Sequence, residues 1–221
     1  MDNKRLHFES VSTLLKESLY VLMQEPLFSP FRLVGGTNLS LRYGHRLSVD
    51  IDLFTDTEYG SLDFRVFESF LKKHFTHYNC LSATSIVGAG KSYYIGKSAN
   101  DAIKIDLMYA DPFLEQAEII DGIRMAGIKD IIAMKMNVVS RGGRKKDFWD
   151  LHLLLQEYPL REMLNLHAQR HPWEHNEKEL LEKFTDFTEA ENYPDPICLL
   201  QKDWDEIKLD LIDTVATFSQ M

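Results

Sequence analysis

Cysteine is scarce in this chain of 221 residues: Cys80 and Cys198 are the only two, far apart, and neither belongs to a close metal-binding pair. That argues against a disulfide-stapled secreted module and against a zinc finger, and it fits a reducing compartment. Long apolar runs are missing too. No stretch approaches the roughly 20 residues that cross a bilayer, and the opening MDNKRLHFES lacks the apolar region of a signal peptide. A cytoplasmic protein with no membrane contact is expected. Basic excess is absent, with 25 Lys and Arg against 34 Asp and Glu, so the chain does not coat nucleic acid through net charge alone. Low-complexity tracts and internal repeats are also lacking, while 44% hydrophobic and 11% aromatic residues suit a folded core.

The charge that is present is unevenly placed. Residues 1–173 hold 21 acidic and 21 basic side chains, whereas residues 174–221 hold 13 and 4. The length suits one domain, or a compact unit with a helical appendage. Apolar spacing from Phe8 to Leu22 predicts an opening helix, closed by Pro26 and Pro30. A short strand over 31–34 runs into Gly35 and Gly36, and Thr37 is expected to cap a helix reaching about Tyr43. Alternation predicts a strand over 49–54, followed by a helix over 63–74. Strands are expected over 80–87, 92–97 and 103–109, with one edge strand over 119–125. Helical spacing covers 128–139, 145–158, 160–168, 177–187 and 204–218. This order gives an α+β fold: a mixed β-sheet with flanking helices (1–127), then a helical part (128–221) packed against it, with a cleft between them as the natural site.

Two short stretches carry chemistry. Asp50 and Asp52, in VDIDLF, lie two apart on a predicted strand, so both carboxylates share one face about 7 Å apart at the backbone. Val49, Ile51 and Leu53 are expected to bury the other face. A divalent cation relieves the repulsion between such carboxylates, and hard oxygen ligands suit Mg2+. Asp106, in IKIDL, offers a third carboxylate that either helps hold a second ion or acts as a base. Upstream, Gly35, Gly36 and Thr37 form a turn where backbone can approach a phosphate, and the Thr37 or Ser48 hydroxyl can add a contact. His45 or Arg46 can bind phosphate as well. The turn is neither a Walker loop nor a dinucleotide fingerprint.

Together, Gly35-Gly36-Thr37, the His45-Arg46 to Ser48 approach and Asp50-Ile51-Asp52-Leu53 resemble the minimal nucleotidyltransferase-fold proteins of the AbiEii/AbiGii toxin family. The likeness extends through Asp106 and the segments KDIIAMK and KKDFWDLHLLL, over most of residues 30–158. It implies metal-dependent transfer of a nucleoside monophosphate from an NTP. It also implies an operon partner that is a DNA-binding antitoxin, and kinship with enzymes that modify the acceptor end of tRNA.

Lys135 lies on the apolar stripe of its helix, where it can reach a triphosphate or snorkel over apolar surface; the resemblance favours the triphosphate. Lys135, Arg141, Arg144, Lys145 and Lys146, with no acidic residue among them, suggest an electropositive wall. The resemblance also makes Asp147 a catalytic-site candidate that orients Lys135 or an arginine, and lets Asp150 brace the helix through an ion pair. His171, Trp173 and His175 form no metal motif. An RNA acceptor is the first expectation. The alternatives are nucleotide transfer to protein or a small molecule, and a non-catalytic interaction module with a decayed pocket.

Overall fold

The computed structural model describes residues 5–81 and 89–220. The chain divides into two compact units: Met1–Tyr43 with Ser48–Ala126, and Gly44–Leu47 with Gly127–Met221.

The first unit is built on a seven-stranded sheet. Its strands are β1 (Arg32–Leu33), β2 (Asp50–Thr55), β3 (His77–Cys80), β4 (Gly90–Ser98), β5 (Asp101–Tyr109), β6 (Glu118–Ile120) and β7 (Ile123–Met125), in the spatial order β3-β4-β5-β2-β1-β7-β6. β2 runs parallel to β5, and β1 parallel to β7; the other pairings are antiparallel. Three helices accompany the sheet: α1 (Thr13–Gln24), α2 (Gly35–Tyr43) and α3 (Phe64–His74). α1 starts where the Ser12 side chain accepts the Leu15 N–H, and it stops before Pro26. Its Leu15, Leu19 and Leu22 share a core with Phe67 and Leu71 of α3 and with Ile51, Leu53, Tyr93, Ile95, Ile105 and Leu107 of the sheet. Every second residue of β2, and of β5 from Ile103 to Leu107, is thereby buried, which fixes their register and leaves the intervening side chains on the other face.

Several expectations are corrected here. Val49 lies outside β2 and is 66% exposed, so the apolar face of that strand is Ile51 and Leu53 alone. The single edge strand over 119–125 is a hairpin, β6 and β7, turned by Asp121 and Gly122, both at positive φ. The strand expected over 80–87 ends at Cys80 as β3, and residues 82–87 lie outside the described residues.

The second unit holds α4 (Ile128–Val139), α5 (Lys145–Leu154), α6 (Leu160–Arg170), α7 (Glu177–Phe184) and α8 (Trp204–Phe218). α5 stops at Leu154, four residues short of the expected end, where the chain tightens into turns with Gln156 N–H donating to Leu153 O and Glu157 N–H to Leu154 O. Trp149 of α5 stacks on Trp204 of α8, while Phe148 and Phe187 meet Trp204 edge to face. Arg170 of α6 donates to Asp130 of α4 at 2.8 Å, an ion pair with both partners buried. Gly44–Leu47 belongs to this unit through a short antiparallel exchange: Leu47 N–H donates to Ile197 O and Leu199 N–H to His45 O, each at 2.9 Å. No helix among the described residues is long and apolar enough to cross a membrane.

Candidate functional site

In the first unit, α2 begins at Gly35, two residues before the expected cap. Gly35 has φ +69°, and a β-carbon there would sit 2.3 Å from Asp52 Oδ2. Glycine is needed both for the backbone and for the approach of the turn to the carboxylate. Thr37 is not the cap. Buried inside α2, its hydroxyl pairs with Ser48 Oγ at 2.8 Å and donates to the Asp50 carbonyl, which ties the helix to the start of β2. The Thr37 and Ser48 hydroxyls are therefore engaged with the fold, while half-buried Gly36 stays in the first turn of α2, where backbone N–H groups lack intrahelical partners.

Across β2 and β5 the register sets Asp50 opposite Lys104 and Asp52 opposite Asp106. Strands lie about 4.8 Å apart and alternate residues about 6.6 Å apart, so these four half-buried side chains form a two-by-two array on the face opposite the core. Lys104 Nζ is 2.6 Å from Asp106 Oδ2, whereas Asp106 Oδ1 is buried with no hydrogen-bond partner among the described residues. Burial alone would lower the Lys104 ammonium, but Asp106, and behind it Asp52 and Asp50, hold it above the ordinary lysine value. As the side chains stand, no group of three or more His, Cys, Asp or Glu among the described residues is gathered closely enough to hold a metal. Asp106 is turned to Lys104 instead. The donors nevertheless fit a hard cation: anionic oxygens, one without a donor, beside a glycine that keeps the space open.

The second unit contains its own buried charge network. Asp150 accepts both Arg46 Nε and a terminal Arg46 nitrogen at 2.7 Å, pairs with His45 Nε2 at 2.7 Å and lies 2.6 Å from Lys135 Nζ. Lys135 also donates to Asp147 Oδ1 at 2.7 Å, and Asp147 Oδ2 accepts the Arg144 N–H at the start of α5. Burial pushes the Asp150 carboxyl up, but Arg46 and Lys135 outweigh it and hold the group well below the usual carboxylate range; Asp147 is lowered against the same burial by Lys135. Burial lowers His45 more than Asp150 raises it, so the imidazole is neutral and donates through Nε2. Two cations thus face two anions. Arg46, 2% exposed, has its guanidinium on Asp150 and on the Leu47 carbonyl. Lys135, 6% exposed, is no snorkelling lysine, because its ammonium sits inside, oriented by Asp147 and Asp150.

The nucleotidyl transferase AbiEii toxin family, of type IV toxin–antitoxin systems, has a family model that matches residues 17–220. The chain belongs to this AbiEii family. Membership places it in the nucleotidyltransferase class. "Uncharacterized protein aq_aa25" of Aquifex aeolicus is 35% identical over 146 residues, 65% of this chain, and the match spans 66% of that protein's length. The fold is shared with JHP933 of Helicobacter pylori, with TM-score 0.57 and 19% identity over 92% of this chain and 90% of that one. It is shared also with MenT4, a nucleotidyltransferase toxin of Mycobacterium tuberculosis H37Rv, with TM-score 0.52 and 16% identity over 90% and 80%.

In this AbiEii-family chain, alternation set Asp50 and Asp52 on one face and put Asp106 opposite the apolar face of its own strand; the β2–β5 pairing that brings the three together, with Lys104 beside them, is a finding of the structure. Sequence reasoning could not pair Arg46 with Asp150, because 104 residues separate them and neither lies in a shared local pattern. It also missed a cleft of about 590 Å³ in the second unit, lined by Asn137, Arg141, Gly142, Gly143, Arg144 and Tyr193 among others. Two glycines at positive φ mark its turn, the one signal available in the sequence.

Proposed function

We propose that the chain transfers a nucleoside monophosphate from an NTP to a hydroxyl of an RNA acceptor, tRNA first, in the cytoplasm. The reading is carried by the array of Asp50, Asp52 and Asp106 against the open turn at Gly35. Asp50 and Asp52 would hold a divalent ion, Mg2+ in the cell, which when bound offsets charge on the reacting phosphates. Asp106 Oδ1, lacking a donor, is suited to take the proton of the acceptor hydroxyl as its oxygen bonds to the α-phosphorus and the bond to pyrophosphate breaks. The first turn of α2, with Gly35 and Gly36, offers backbone N–H groups to phosphate oxygens; Thr37 and Ser48 hold that turn to β2. Lys135 and Asp147 enter as a second set, Asp147 orienting Lys135 and Lys135 offsetting triphosphate charge, a role that requires its ammonium to exchange a carboxylate for a phosphate.

The test is transfer of label from each α-labelled NTP to purified tRNA, to protein and to small-molecule fractions, with Mg2+ and with chelator. Label on tRNA that disappears with chelator and in Asp50→Asn is expected. Label confined to protein or small molecules would replace the acceptor, and no label anywhere would leave the interaction-module reading. Family membership also supports a toxin neutralised by an antitoxin protein. Expression without the neighbouring gene should slow growth for the wild type and not for Asp50→Asn.

A further inference from the structure

The four-residue array carries three carboxylates and one ammonium, a formal charge of −2, which a single divalent ion balances. Lys104 reaches Asp106 along its own strand: the two are two residues apart on β5, on one face, and the ammonium sits 2.6 Å from Oδ2. Its register partner is Asp50, so it stands beside the carboxylate pair while bound to the third carboxylate. Both groups of the pair are partly shielded, with side chains 33% and 15% exposed, and are screened less than a surface pair.

Resting on the metal-dependent reading above, we propose that Lys104 is a built-in cation that takes the place of a second metal ion at Asp106, so that the free protein holds one divalent ion per chain. Three carboxylates without a lysine suit two ions well enough, since a triphosphate supplies further negative charge. With Lys104 seated, a second divalent ion would share Asp106 with an ammonium already in contact, and like charges on one carboxylate oppose each other. The lysine also holds Asp106 at Oδ2 and leaves the buried Oδ1 without a hydrogen bond, which a bidentate metal would not. Lys104 is thus a positioning residue, acting through Asp106.

The test is a Mn2+ titration of the full chain, without nucleotide, read by the EPR signal of free Mn2+. The wild type should bind one ion and Lys104→Arg, which keeps the charge, also one. Lys104→Gln should bind two, or bind the second at least tenfold more tightly than the wild type does. The side-chain NMR signal of Lys104, assigned by its loss in Lys104→Gln, should hold its position as Mg2+ reaches one equivalent. Two ions on the wild type, an unchanged Lys104→Gln isotherm, or a Lys104 signal that moves to that of a solvated lysine would each overturn the proposal while leaving metal dependence intact. No Mn2+ on the wild type, together with nucleotide transfer that survives chelator, would instead remove the metal-dependent reading itself, and this inference with it.

Discussion

Asp150→Ala is expected to be the most damaging single change in the second unit. The carboxylate is fully buried and holds Arg46 through two hydrogen bonds, His45 through one and Lys135 through an ion pair. Its removal takes from buried Arg46 the carboxylate that accepts two of its hydrogen bonds, while Lys135 keeps Asp147. Breaking a buried pair from one side costs about 3–5 kcal/mol, against a total stability of about 5–15 kcal/mol. With a urea m-value near 2 kcal/mol per M, the midpoint should fall by roughly 2 M. Trp149, Trp173 and Trp204, the only tryptophans, all belong to the second unit, so their fluorescence reports its unfolding directly. The double variant Arg46→Met with Asp150→Leu removes both charges, and should lose less than Asp150→Ala. A loss below about 1 kcal/mol in Asp150→Ala, or a double variant worse than the single, would refute this account of the network.

Three further outcomes follow from the geometry. Gly35→Ala must accept φ +69° and a β-carbon 2.3 Å from Asp52 Oδ2, so it should cost about 1–3 kcal/mol in urea unfolding and displace Asp52, with nucleotide transfer falling at least tenfold; an active, equally stable variant would contradict it. Asp50→Asn and Asp52→Asn should lower transfer by about a hundredfold or more with an unchanged circular dichroism spectrum, and wild-type rates at saturating NTP and Mg2+ would remove their assigned role. His167 is buried and brought down to about 4 by burial, then by His171 and His175, against a pull upward from Glu174. Its Nε2 lies 3.4 Å from Asn137 Oδ1 and its Nδ1 3.0 Å from His175 Nδ1, so the neutral ring can satisfy both nitrogens, with one donor and one acceptor. Between pH 6.5 and 4 the unfolded chain binds the proton and the folded chain does not. This contribution is therefore complete above pH 6.5 and falls by up to about 3 kcal/mol as pH drops to 4. Urea unfolding at pH 7 and pH 4.5 should show that slope in the wild type and a shallower one in His167→Asn; equal slopes would refute it.

What the sequence made legible was local. Period-two alternation placed Asp50 and Asp52 opposite the apolar face of β2, and Asp106 opposite that of β5, because Ile51, Leu53, Ile105 and Leu107 are buried; that the two strands pair was not legible. Spacing also located α4 and α8, whose apolar stripes are long. The β6–β7 hairpin was missed although its Asp-Gly pair is a turn signal, since each arm is only three residues and the apolar run reads through. The partners of Arg46, Thr37 and Asp150 were illegible for another reason: chain order does not bring them near, and a residue drawn as a phosphate ligand is equally able to clamp a buried carboxylate, so an ion pair was expected of Asp150 but not with Arg46.

The same limit governs the basic stretch from 135 to 146, which reads as an open electropositive wall. In the folded second unit Lys135 is held by Asp147 and Asp150, Arg141 by Glu174, Arg144 by Asp147, and Lys145 by Glu191 and Asp195. Three of those acids come from the C-terminal 48 residues, where the excess negative charge lies. That excess is therefore not simply a solvated cap, because part of it folds back on the basic turn and matches its charge. Any RNA phosphate that approaches Arg141 or Lys145 competes with carboxylates already in place, and the Arg141–Glu174 pair, with both side chains more than half exposed, is open to exchange. For the proposed RNA acceptor, the contribution of these basic residues to affinity would be the difference between phosphate and carboxylate partners, smaller than their count suggests. An acidic tail that occupies the basic turn favours partners able to replace it at several points together, as an ordered RNA backbone does and a lone nucleotide does not.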